Sequence, residues 1–157
     1  MDDRQFRNTM GKFATGVTII TTELDGNAYG MTANAFMSVS LNPKLVVISV
    51  GHKAKMLQRI RESKRYAVNI LSSDQQQLSA VFAGQKNDDI LIPFATMDRL
   101  PILENTIGAV TCNLVAEHTA GDHSLLIGEV TDLRMEEGEP LLFFQGQYHE
   151  LKERVNS

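Results

Sequence analysis

Most of the strand-like segments of this chain follow one another too closely to be joined as parallel strands. Val17–Thr22 is β-branched and reads as a strand. Asp25-Gly26-Asn27 reads as a hairpin turn, and the next strand runs from Ala28 to about Val39. Leu45–Val50 is a continuous apolar run bounded by Asn42-Pro43 and Gly51, the pattern of a fully buried strand. Tyr66–Leu71, Ala109–Glu117, Ser124–Met135 and Leu141–Gln147 complete the set. Parallel neighbours need a crossover of a dozen or more residues. Most of these links are shorter, so the expected architecture is an antiparallel sheet closed on itself. No strand–GxGxxG–helix unit is present, which removes the usual dinucleotide-binding fold.

Short helices punctuate the strands. Phe6, Met10 and Phe13 fall at i, i+4 and i+7, so residues 3–12 read as an amphipathic helix. Lys53–Ser63 carries Met56, Leu57 and Ile60 on one stripe. Ser73 and Gln76 have capping-box spacing, Leu78, Val81 and Phe82 follow at helical spacing, and Gly84 is a natural stop. Residues 85–105, with Pro93 and Pro101, read as a long irregular stretch of the kind that is often functional. The whole, residues 1–157, is expected to be one mainly β domain.

Charge and cysteine usage narrow the function classes. The net charge is −4 with no basic run, which argues against nucleic acid as a partner. The single cysteine, Cys112, allows neither an internal disulfide nor a thiolate cluster and fits a reducing compartment. His52, His118, His123 and His149 show no metal-ligand pair spacing, so no metal site is expected. The N-terminus lacks an apolar signal core, and no apolar run approaches the ~20 residues needed to cross a bilayer, so a cytoplasmic protein with no membrane contact is expected.

Six segments, in order, carry a resemblance. They are Phe13-Ala14-Thr15-Gly16-Val17, Gly30-Met31-Thr32-Ala33-Asn34-Ala35-Phe36, Ser38-Val39-Ser40-Leu41-Asn42-Pro43, Tyr66-Ala67-Val68-Asn69-Ile70-Leu71, Phe82-Ala83-Gly84 and Gly121-Asp122-His123. Together they resemble the flavin reductases of the FMN-binding split-barrel type. Within these, the chain most resembles the short reductase components of two-component aromatic hydroxylases acting on phenol or 4-hydroxyphenylacetate. The resemblance implies an antiparallel Greek-key split β-barrel, a homodimer, FAD or FMN bound near the subunit interface, and NADH or NADPH as reductant. It also implies a separate oxygenase partner supplied with diffusible reduced flavin. A non-catalytic flavin-binding or sensing module of the same fold is the alternative. A relative of pyridoxine-phosphate oxidases would need extra basic residues that are not seen, and a purely structural dimer module is the remaining rival.

The resemblance assigns roles residue by residue. Thr32-Ala33-Asn34-Ala35 would lie against the isoalloxazine, with Ser38 and Ser40 nearby. A flavin ring needs N–H donors close to the edge where charge develops on reduction, and small side chains let the backbone approach. On residue types alone the segment reads more readily as a strand with a packed alanine face, and the resemblance reverses that preference. Ser49-Val50-Gly51-His52-Lys53-Ala54-Lys55 ends a strand and opens a helix. Two lysines in a first helical turn oppose the macrodipole, and a bound phosphate would resolve the conflict, so Ser49, Lys53 and Lys55 are candidates for the flavin phosphate. A solvated helix start is the plainer reading. Phe82, Ala83 and Gly84 would border the flavin, although a glycine stop is usually structural. His123 would orient the nicotinamide, although Gly121-Asp122-His123 also suits an ordinary turn. Tyr148 is a further cofactor-site candidate. No catalytic acid, base or nucleophile is expected, because hydride transfer needs only that the two rings be positioned and the reduced ring's charge stabilised.

Overall fold

The computed structural model describes residues 1–84 and 92–152. In chain order the elements are α1 (Asp3–Met10), β1 (Thr15–Gly16), β2 (Thr18–Leu24), β3 (Asn27–Ala33), β4 (Phe36–Leu41), β5 (Lys44–Gly51), α2 (Lys55–Ser63) and β6 (Arg65–Ile70). A 3₁₀ turn (Ser73–Gln75) leads into α3 (Gln76–Phe82), followed by β7 (Phe94–Met97), β8 (Leu100–Leu103), β9 (Gly108–Ala120), β10 (His123–Met135), β11 (Leu142–Phe144) and β12 (Gln147–His149).

Seven strands form one sheet in the order β3-β2-β6-β9-β10-β5-β4, and every pairing is antiparallel. Its two edge strands, β3 and β4, are consecutive in the chain and joined only by Asn34 and Ala35. Three peptide steps span at most about 11 Å. The sheet has therefore curled until its edges nearly meet, leaving a seam bridged by that two-residue joint. This is the split barrel. Alternation decides what fills it. Val46, Ile48 and Val50 of β5 and Leu126 of β10 point inward and are buried, with Ile20, Tyr66, Val68 and Cys112. Met56, Leu57 and Ile60 of α2 close one end of this core. The intervening residues Val47, Ser49 and Gly51, with His123, Leu125 and Ile127, stand on the outer face of the wall.

Several boundaries differ from the sequence reading. The strand expected from Ala28 to Val39 is two strands broken at the seam. The capping box sits one residue earlier than expected, where the Ser72 N–H donates to the Gln75 side chain at 3.1 Å. The helix expected from Lys53 begins at Lys55 behind Ala54, so only one of the two lysines lies in its first turn. The final strand is a hairpin, β11–β12, turning at Gln145-Gly146 with both residues at positive φ.

The stretch expected to be irregular contains the β7–β8 hairpin, while residues 85–91 lie outside the described residues. Leu100, Pro101, Ile102 and Leu103 of β8 are all buried, so this hairpin is packed into the structure. Its turn, Asp98-Arg99, is at positive φ in both positions. The Asp98 carboxylate pins it by accepting from Thr131 at 2.6 Å and from the Arg65 guanidinium. The Thr131 bond, then Arg65, hold the Asp98 carboxyl below its usual range.

Candidate functional site

An open cleft of ≈ 1520 Å³ lies over the seam, larger than the 300–1,000 Å³ typical of pockets for one small ligand. One wall is the outer barrel face, represented by Val47, Ser49 and Leu125; the floor is the joint Asn34-Ala35; and Thr15-Gly16 borders the far side. The remaining wall is α1, which contributes Phe6, Met10 and the adjoining Phe13. These three side chains are 55%, 53% and 74% exposed, and α1 buries no residue. The sequence pattern located this helix correctly, but its apolar stripe faces the cleft and not the core. α1 is held in place at its C-terminal end, where the Gln145 N–H donates to the Gly11 carbonyl at 2.9 Å.

The floor has unused polar capacity. The Asn34 carbonyl accepts from Phe36 N–H and the Ala35 carbonyl from Ser49 N–H, at 3.0 and 3.1 Å. Among the described residues neither the Asn34 nor the Ala35 N–H donates to a main-chain carbonyl outside the regular elements. The Thr15 hydroxyl is buried at the cleft border and has no hydrogen-bond partner. Buried polar atoms are satisfied in the great majority of cases, so an orphan beside a cleft points to a ligand group. Gly16, next to it, has nothing within 4 Å of where a Cβ would stand. The charged residues lining the cleft, Arg7 and Lys12, are both cations. Small side chains at the joint, an unpartnered hydroxyl at the border and positive charge suit a flat heterocycle that gains electrons, so the residues present fit a flavin.

A second group gathers where β5 and β10 end. His123 pairs with Gly51, and its Nε2 is 3.6 Å from the position of a Gly51 Cβ. A Cβ there would make ordinary van der Waals contact with the imidazole. Nδ1 of His123 lies 2.7 Å from the Asp122 carboxylate, a contact that lowers the Asp122 pKa. His123 shares the outer face with Leu125 of the cleft wall and remains half exposed. Lys53 and Lys55 are exposed at the start of α2, whose N-cap Ala54 supplies no side-chain acceptor. That leaves uncapped N–H groups beside two cations, as an anion site requires.

The other sequence candidates fall elsewhere. Thr32 donates to the Ser79 carbonyl at 2.7 Å, and the Ser79 and Tyr148 hydroxyls are 2.8 Å apart, so Thr32 and Tyr148 bind α3 to β3 and β12. Phe82 packs into the space left by Gly30, where a Cβ would come within 2.3 Å of its ring, and meets Phe94 edge-on. Ala83 and Gly84 are exposed behind it. The Ala33 carbonyl accepts from Thr18 at 2.6 Å. Val50 is 1% exposed and belongs to the barrel core. Ser38 is exposed on β4, and the Ser40 hydroxyl accepts from the Asn42 N–H at 3.3 Å. Of the candidates, Asn34, Ala35 and Ser49 line the cleft; Lys53, Ala54, Lys55 and His123 form the neighbouring group; and Thr32, Phe82, Ala83, Gly84 and Tyr148 cluster at α3. Sequence reasoning missed the part played by Phe6, Arg7, Met10 and Lys12. A helical stripe looks the same whether it faces a core or a cleft.

Cys112 offers no competing chemistry. Burial pushes its thiol up to about 12, and it packs inside the barrel.

The fold recurs in known proteins. The chain is 59% identical to the flavin reductase PheA2 in its native state, with a TM-score of 0.96 over 98% of this chain and 100% of that one. Against the Streptomyces globisporus C-1027 NADH:FAD oxidoreductase SgcE6, solved with NAD and FAD fragments, identity is 31% and the TM-score 0.92, covering 99% and 96% of the two chains. An NADH-dependent flavin reductase of Rhodococcus is 42% identical over 149 residues, 93% of this chain and 85% of that protein. The reductase component of 4-hydroxyphenylacetate 3-monooxygenase from Thermus thermophilus is 33% identical over 147 residues, 93% and 95% of the two. The model of the flavin reductase like domain matches residues 10–152. With nearly the whole length matched in sequence and in structure, the chain belongs to the flavin reductase like family.

Proposed function

We propose that this protein uses NADH to reduce FMN or FAD at the barrel seam and releases the reduced flavin to a separate oxygenase. The observation that carries the reading is the seam itself, where the two-residue joint Asn34-Ala35 and the buried, unpartnered Thr15 hydroxyl border an open cleft whose charged lining residues, Arg7 and Lys12, are both cations. When bound, the nicotinamide supplies the hydride and the flavin ring accepts it. The chain's residues do the rest. Asn34 and Ala35 hold the ring by their backbone, and Phe6 and Phe13 exclude water from its edge. Lys53, Lys55 and the bare N-terminus of α2 neutralise the phosphate. His123 sits over Gly51 and orients the second ring. Arg7 and Lys12 favour the extra negative charge of the reduced state. No side chain need give or take a proton. We assign NADH over NADPH because, among the described residues, the cleft lining holds a single arginine, Arg7, and no arginine pair for a 2′-phosphate. Among the described residues no helix is long and apolar enough to cross a membrane, and the buried lone cysteine suits a reducing cytoplasm.

We also propose a homodimer. Met37, Val39 and Leu41 of the edge strand β4 are 59%, 47% and 87% exposed, and Met135 is 82% exposed. An uncovered apolar edge strand is an aggregation hazard unless a partner covers it. Sedimentation equilibrium at micromolar concentration should give twice the chain mass; a monomer contradicts the assignment.

Anaerobic titration with NADH in the presence of FMN tests the activity. Bleaching of the flavin absorbance is expected, and an unchanged spectrum would indicate the non-catalytic binding module. His123→Ala should raise KM for NADH about tenfold, a loss of about 1.4 kcal/mol, with FMN affinity within threefold of wild type. The reverse pattern rejects its role. Lys53→Ala with Lys55→Ala should weaken FMN about 30-fold, as loss of charge-assisted bonds predicts. Riboflavin, which has no phosphate, should bind the double variant as it binds wild type. Equal losses for the two ligands would place the phosphate elsewhere.

A further inference from the structure

Behind His123 lies a chain of polar side chains that the reaction does not use. Ser124 points inward from β10 and is fully buried. Its hydroxyl is 2.7 Å from Glu117 of β9 and 3.3 Å from Nε2 of His52, in the turn after β5. A hydroxyl has one proton, and a carboxylate only accepts. Ser124 therefore donates to Glu117 and accepts from Nε2–H of His52. Glu117 is held in turn by the Arg61 guanidinium of α2, with Nε at 3.2 and 3.1 Å from its two oxygens. Those bonds, Arg61 first and Ser124 second, hold the Glu117 carboxyl down to about 2. The trio is not a nucleophilic triad, since the hydroxyl is buried and its proton goes to the carboxylate. Its position suggests another role. The chain ties β9, β10, α2 and the 51–54 turn together at one end of the barrel. The His52 N–H reinforces it by donating to the Asp122 carbonyl at 2.9 Å.

We propose that Arg61, Glu117, Ser124 and His52 form a clasp that fixes the spacing between the phosphate-binding turn and the nicotinamide-facing His123. This inference rests on the flavin reductase reading. The clasp touches neither ligand; its members are positioning residues. His52 precedes Lys53, and Ser124 follows His123, so one hydroxyl sets both ligand-contacting residues. The seam holding the flavin ring lies apart from it, so the ring's own grip should be independent of the clasp.

Ser124→Ala and His52→Ala test this by direct binding. In each variant, FMN affinity measured by fluorescence quenching should fall about tenfold. NAD⁺ affinity, measured by calorimetry on FMN-loaded protein, should fall similarly, while riboflavin affinity stays within twofold. A general loosening of the barrel would weaken riboflavin as well. Thr131→Ala, which breaks the unrelated Asp98 contact, should leave all three affinities unchanged whatever it does to Tm. Both clasp variants binding FMN within twofold of wild type, or losing riboflavin as much as FMN, overturns the clasp. Wild-type protein that binds neither FMN nor NAD⁺ overturns the functional reading and the clasp with it, a result visible before any substitution is made.

Discussion

Ala35→Leu is expected to abolish tight flavin binding while leaving the barrel intact. Ala35 is exposed at the two-residue joint between β3 and β4, and its side chain borders the cleft. A branched side chain there stands where the ring must approach the backbone. The expected loss in FMN affinity is at least about 100-fold, close to 2.7 kcal/mol. An exposed substitution away from packed neighbours changes stability by about 0.5 kcal/mol or less, so Tm should move by no more than about 2 °C. Fluorescence titration and a melting curve on the same sample check both halves. Retained affinity would remove Ala35 from the ring site, and a large fall in Tm would show that the joint is packed more tightly than its exposure indicates.

Gly128→Val should produce the largest stability loss of any single substitution considered. Gly128 lies on β10 inside the barrel, and a Cβ there would stand 2.3 Å from the Tyr66 hydroxyl and 2.7 Å from Cβ of Cys112. Both neighbours are 0% exposed, and Tyr66 is held by its hydrogen bond to the Leu126 carbonyl at 3.2 Å. Neither can step aside without moving β6 or β9. Overpacking of this kind costs about 1–3 kcal/mol and more when backbone must shift. Loss of the buried tyrosine bond adds about 1 kcal/mol. A cost of about 4 kcal/mol lowers Tm by roughly 8–16 °C in a chain of this length. Denaturant unfolding gives the figure directly, and a loss under 1 kcal/mol would mean the barrel wall is more compliant than its packing implies.

The antiparallel barrel was legible because its strands are β-branched, alternate cleanly and are joined by short turns such as Asp25-Gly26, both at positive φ. Where the local code was weaker, the reading failed. Asp98-Arg99 makes the same kind of turn, but arginine is not a residue that announces positive φ, so the β7–β8 hairpin passed for loop. The break between β3 and β4 was hidden because nothing in Asn34-Ala35 marks a strand end; the break exists because the sheet must close. Of the cleft-lining residues, Asn34 and Ala35 were singled out by the family pattern, whereas Ser49, expected beside Lys53 and Lys55 from the helix start, lines the cleft wall without them. Phe82, Thr32 and Tyr148 belong to the same pattern, yet their contacts in this chain are packing and hydrogen bonds around α3. The clasp was invisible to sequence reasoning, since Arg61, Glu117 and Ser124 are far apart in the chain and meet only through strand register.

The most direct test is a crystal structure of the protein with FMN. The tricyclic ring should lie along the barrel seam, with the Ala35 amide within hydrogen-bonding distance of it and its phosphate beside Lys53 and Lys55. A ring found at another place, with the seam filled by protein side chains, would contradict the account.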